Sequence, residues 1–85
     1  MSNDTLKLHS DWQVKGDHHL ERTFTFADWK GAIAFVNKVS VVAEEMNHHP
    51  DVELGWGRVV LKMRTHDKQL VGPKDYALAA RVDVL

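Results

Sequence analysis

The sequence predicts a two-layer α+β domain. It is a four-stranded antiparallel sheet with helices packed on one face, in the order strand, strand, helix, strand, strand, helix. Three observations carry this. Two separate stretches alternate apolar and polar residues in hairpin-like pairs. A long segment between them steps by three and four, and a Gly-Pro pair resets the chain before a second, shorter helical stretch.

The first hairpin is read from residues 12–14 and 20–26, which flank the turn signal Lys15-Gly16-Asp17-His18. In its second arm Leu20, Arg22, Phe24 and Phe26 share one parity and Glu21, Thr23 and Thr25 the other, the pattern of a half-buried strand. From Asp28, an N-cap residue type, the period changes. Trp29, Ile33 and Val36, with Phe35, Val39, Val42 and Met46, form the apolar face of an amphipathic helix. That helix is expected to stop between Asn47 and His49, because Pro50 drives the residue before it out of the α region. In the second hairpin Val52, Leu54 and Trp56 alternate with Glu53 and Gly55. The chain turns around Gly57, and Val59, Leu61 and Met63 alternate with Val60, Lys62 and Arg64. Gly72-Pro73 opens the last helix, with Pro73 at its first position, and Tyr76, Ala79, Ala80 and Val82 form its stripe with Leu78 at the edge.

No repeat, low-complexity tract or linker interrupts the 85 residues, so one domain over 1–85 is expected. Eleven Lys and Arg against 12 Asp and Glu give a formal charge of −1, which argues against a nucleic-acid partner. The absence of cysteine removes disulfides, a thiol nucleophile and thiolate metal ligands. The N-terminus, Met1-Ser2-Asn3-Asp4-Thr5, lacks the order of a signal peptide, and the longest apolar runs, 32–36 and 76–80, are far short of a bilayer span. A cytoplasmic protein with no membrane partner is expected. A chain this small has a marginal core, so association into a homo-oligomer is expected as well.

Six histidines are the chemical surplus of the composition. Three of them, His9, His18 and His19, sit near the N-terminus or a turn tip, where solvent exposure accounts for them. Along a continuing helix Glu44 and His48 are four apart, as are Glu45 and His49, so each imidazole comes within reach of a carboxylate that fixes its tautomer. Capping of the helix C-terminus by a protonated histidine is the plainer account of this segment taken alone. On a regular strand His66 shares a side with Lys62 and Arg64, and the two cations favour its neutral form. Three histidines and a carboxylate are a zinc-type ligand set, but neighbouring His48 and His49 rarely aim at one ion and no His-x-x-x-His pair exists. No metal is therefore expected. Ser2, Ser10 and Ser40 stand in no nucleophile-turn context, and there is no glycine-rich phosphate loop.

Taken together, the chain reads Glu44, three residues, His48-His49-Pro50, five residues, Trp56, nine residues, His66, eight residues, Asp75. This resembles the signature of the pterin-4a-carbinolamine dehydratases, also known as dimerisation cofactors of a homeodomain transcription factor. The likeness takes in Trp12, the 20–26 strand, Phe35-Val36-x-x-Val39, Thr65-His66-Asp67 and Asp75-Tyr76-x-Leu78-Ala79, roughly residues 11 to 83. The resemblance implies dehydration of 4a-hydroxytetrahydrobiopterin to quinonoid dihydrobiopterin, in the recycling of a pterin cofactor. It implies His48 and His66 as the acid–base pair, with His49 both in the catalytic set and holding the pterin, and Pro50, Thr65 and Asp67 as further pterin contacts. Glu44 would orient His48, Asp75 would steady the His66 loop, and Trp56 would support the site. No cofactor is implied, because the pterin is the substrate. A homodimer or homotetramer is, and a protein partner enters with the alternative, a non-catalytic coactivator or assembly module on the same fold.

Three departures from the family pattern stand out. The N-terminal family helix is expected to be short or missing. Val52 stands where an aromatic residue often follows the His-His-Pro corner, and Asp67-Lys68-Gln69-Leu70-Val71-Gly72 lacks the two glycines usual in that loop.

Overall fold

The computed structural model describes residues 11–15, 19–64 and 71–85. The elements are β1 (Gln13–Val14), β2 (Leu20–Thr25), α1 (Trp29–Met46), β3 (Asp51–Gly55), β4 (Arg58–Met63) and α2 (Pro73–Val82). The four strands form one antiparallel sheet in the order β1-β2-β4-β3, so β4 is central and β3 lies at an edge. The α+β architecture and element order are those the periodicities predict.

Register explains which face is buried. Leu20 pairs with Met63, Arg22 with Leu61 and Phe24 with Val59, while on the other side of β4 Val52 meets Leu61 and Leu54 meets Val59. Side chains alternate along a strand, so this set points to one face and Glu21, Thr23, Lys62 and Glu53 to the other. The helices cover the first face. Val59, Leu61 and Met63 join Leu20 from β2, Ala32, Val39 and Val42 from α1, and Leu78, Ala79 and Val82 from α2 in a single core. Each fully buried aliphatic side chain contributes about 1.5–3 kcal/mol relative to exposure.

The helix ends follow local chemistry. The Asp28 side chain accepts the Gly31 N–H at 2.8 Å and starts α1, a cap worth about 1 kcal/mol. At the other end Asn47 adopts the left-handed conformation, φ 50° and ψ 44°. The His48 N–H then returns to the Ala43 carbonyl at 3.0 Å and the Asn47 N–H to that of Glu44 at 3.2 Å. This Schellman-type closure satisfies carbonyls that the last turn leaves open. The helix thus stops inside the expected window, but by a left-handed asparagine two residues ahead of the proline's constraint.

Several side chains differ from expectation. Leu78 is the fully buried centre of α2 rather than its edge, because α2 packs along α1 as well as over the shared core. Trp56 leaves the alternation of β3: the strand ends at Gly55, and the indole stands in the turn with 67% exposure. His19, expected in solvent, is buried at 8% exposure, its Nε2 2.8 Å from Glu21 two residues along the same side of the strand. Arg22 faces the helices, where Asp83 binds its guanidinium at 2.8 Å and the Phe24 ring lies 4.4 Å beneath it. Among the described residues no helix is long and apolar enough to cross a membrane.

Candidate active site

The turn at Asn47 decides what each histidine meets. On a continuous helix Glu44 would face His48 and Glu45 would face His49. The left-handed residue breaks that 100° progression, and both expected pairings are replaced. His48 turns towards α2, where its Nε2 lies 2.6 Å from Asp75 Oδ1. Glu44 bonds His49 instead, and Glu45 bonds Arg81 of α2 at 2.7 Å. Orientation of His48 therefore falls to Asp75 and not to Glu44.

Asp75 is placed by the start of its own helix. Pro73 is the first residue of α2, and the third, Asp75, reaches back so that its Oδ2 accepts the Gly72 N–H at 2.7 Å. A carboxylate in the first helical turn also meets the positive end of the helix dipole. The Asp75 side chain is fully buried, and that of His48 is 13% exposed. An ionised carboxylate can only accept hydrogen bonds, so the Nε2 of His48 carries the proton of this contact. In the neutral imidazole Nδ1 is then left as the proton acceptor, the arrangement a general base requires.

His49 occupies a different environment. Its ring and the Glu44 carboxylate are both largely exposed, at 52% and 74%, so their contact contributes little to stability. The ring lines an open groove between α1 and β3 together with Pro50 and Val52.

Of the remaining expected site residues, Trp56 lies at the far end of β3 from the His-His-Pro corner, about 17 Å along the strand. It is not brought to the corner within this chain. Thr65, His66 and Asp67 lie outside the described residues. Asp51 of β3 pairs with Lys62 of β4, so β4 runs out at Met63 and Arg64 at the same end of the sheet as the corner. Among the described residues no three His, Asp or Glu side chains are grouped as metal ligands do. The His48–Asp75 pair is what the sequence reading missed. Its one signal was Gly72-Pro73 with an acid three residues after the glycine, a helix-start pattern that turns a carboxylate inward.

A two-layer α+β domain with a histidine corner backed by a buried carboxylate defines a candidate acid–base site. The family model of the pterin 4 alpha carbinolamine dehydratases matches residues 2–85, and the chain belongs to that family. Among relatives, a protein of Alkaliphilus metalliredigens is 40% identical over 98% of this chain and 79% of its own length. One of Rubrobacter xylanophilus is 45% identical over 87% and 69% respectively. Both carry the name of a pterin-4-alpha-carbinolamine dehydratase. The structure of a transcriptional coactivator/pterin dehydratase from Brucella melitensis superposes with a TM-score of 0.84 at 29% identity, covering 98% of this chain and 89% of that one. A pterin dehydratase-like protein described as a RuBisCO assembly factor in the alpha-carboxysome gives 0.75 at 27% identity, covering 89% of each chain.

Proposed function

We propose that this protein dehydrates 4a-hydroxytetrahydrobiopterin to quinonoid dihydrobiopterin by histidine acid–base catalysis. The observation that carries the reading is the imidazole of His48 held at Nε2 by the buried Asp75 carboxylate. The reaction needs two proton transfers. The hydroxyl on C4a leaves as water once an acid protonates it. The lone pair on N5 forms the C4a=N5 double bond, and a base removes the N5 proton. The substrate loses one water, and the proton given to the hydroxyl is balanced by the one taken from N5.

His48 and His66 share these two transfers, each contributing roughly 10²–10⁴-fold. His49 holds the pterin and takes part in the catalytic set, with Pro50, Thr65 and Asp67 as further contacts. No metal or organic cofactor takes part. The cellular setting that fits is recycling of tetrahydrobiopterin in the cytoplasm by a homo-oligomer.

The competing reading is a non-catalytic binding module; of the structural neighbours one is named a transcriptional coactivator as well as a pterin dehydratase, and the other an assembly factor. Freshly generated 4a-hydroxytetrahydrobiopterin, followed by the absorbance of quinonoid product, separates the two. Catalysis by the folded protein, reduced at least 10²-fold by His48→Ala, is the expected result. A folded protein that gives only the buffer rate would overturn the enzyme reading in favour of the binding module.

A further inference from the structure

Trp56 belongs to the expected site, yet this chain holds it at the opposite end of β3 from the His-His-Pro corner, with its indole 67% exposed. β3 is an edge strand. β4 covers one side of it, and among the described residues no strand covers the other. Beside the corner, Val36, Val39 and Ala43 of α1 form an open groove of about 190 Å³ with Pro50 and Val52. An exposed indole past one end of an edge strand and an apolar groove at the other are the two halves of a self-complementary contact.

Register arithmetic shows how they meet. Two copies of β3 paired antiparallel about a two-fold axis at Glu53 set residue 50 opposite 56, 51 opposite 55 and 52 opposite 54. This register pairs the whole strand, whereas a shift of two residues would leave only 51–53 or 53–55 to pair. A shift of one would set core-facing against solvent-facing side chains. On the side the helices cover, Val52, 41% exposed in the single chain, meets the partner's Leu54. On the open face Asp51 meets the partner's Gly55. The Arg58 guanidinium lies over that glycine, within 3.3 Å of the position a Cβ would take, so Asp51 comes up against the partner's Arg58 at both ends of the interface. Glu53 meets its own copy on the axis, and Lys62, 2.7 Å from it in each chain, offsets that repulsion.

We propose that two copies of this chain join through β3 in this register, and that the Trp56 indole of each enters the α1–β3 groove of the other, beside its His49. The tryptophan that stands far from its own corner then supports the corner of the second copy. The inference supplies an interface for the homo-oligomer of the dehydratase reading. Its test needs no turnover, so either can fail alone.

The chain has no cysteine, so single cysteines report the register. Directly opposite residues of an antiparallel pair have Cα atoms about 4.5–5.5 Å apart, within the span of a disulfide. In this register Gly55 lies about 14 Å from the partner's Gly55, beyond that span. Glu53→Cys is therefore expected to give a disulfide-linked dimer on mild oxidation, and Gly55→Cys is not. In sedimentation equilibrium Trp56→Ala is expected to raise the Kd of association roughly 30-fold or more, the scale of losing a buried tryptophan anchor. Val52→Trp, which fills the groove from its own chain, is expected to do the same. Both positions are exposed in the single chain, and circular dichroism checks that the fold stands. A monomeric parent, or an oligomer in which Glu53→Cys forms no link, overturns the inference and leaves the dehydratase standing. A Glu53→Cys link with an unchanged Kd in either folded variant overturns the placement of the indole.

Discussion

Substitution of Asp75 separates the two tasks of one carboxylate. Oδ2 accepts the Gly72 N–H at 2.7 Å, and Oδ1 accepts from His48 at 2.6 Å, with the side chain fully buried. Asp75→Ala removes both acceptors. The lost helix start costs about 1 kcal/mol, and the His48 donor left in a nearly closed site about 1–3 kcal/mol more. The sum is about 3 kcal/mol, a fall in Tm of roughly 12–24 °C for a domain of this size.

Asp75→Asn behaves differently. Its carbonyl can still accept the Gly72 N–H, so the cap survives. Its amide then offers an N–H to His48 Nε2, which must become the acceptor, and the neutral ring moves its proton to Nδ1. Loss of the buried charge also relieves desolvation, so the stability cost is expected near 1 kcal/mol. Activity is expected to fall roughly 10²–10⁴-fold in kcat with KM less affected, because the nitrogen available to the substrate now holds its proton. Urea denaturation measures the first pair of numbers, absorbance kinetics the second, and imidazole ¹⁵N chemical shifts the tautomer. Wild-type kcat in Asp75→Asn, or an unchanged Nε2–H tautomer there, would refute the reasoning.

Two further outcomes are expected. Asp83 accepts from Trp12 Nε1 at 2.7 Å and from Arg22 at 2.8 Å, so Asp83→Ala is expected to cost about 2–4 kcal/mol in urea denaturation and to change the fluorescence of Trp12. On the open sheet face the hydrogen bond and charge of Lys62 hold the Glu53 carboxyl below its ordinary value of 4.5. A depressed carboxyl stabilises the fold above its unfolded pKa and loses that contribution as pH falls through its folded pKa. Lys62→Met should therefore move the Glu53 titration back up towards 4.5 by NMR and remove this pair's share of the acid destabilisation, leaving the acid limb of the stability curve flatter.

Much of the fold is legible because strand and helix have different periods. Leu20, Phe24, Val59, Leu61 and Met63 keep a step of two and form the sheet's inner layer, while Val39 and Val42 keep the helical step. Long-range pairing is what periodicity does not carry. Arg22 occupies an inward parity that looks anomalous until Asp83, 61 residues later, meets it. The same holds at the site. The His48-His49-Pro50 corner is visible as a spacing, but its partners depend on one left-handed residue, Asn47, and on a carboxylate 27 residues away. Sequence distance suggested Glu44 for His48, and the turn sent it to His49.

Those unlike partners leave the corner with two carboxylate–imidazole contacts in different surroundings. The Glu44–His49 pair stands in solvent, within reach of mobile ions, whereas Asp75 and His48 are enclosed between the helices. At moderate ionic strength the screening length shrinks to about 8–10 Å, which weakens exposed pairs and scarcely reaches enclosed ones. Salt therefore loosens one carboxylate–imidazole contact of the corner and leaves its neighbour in place.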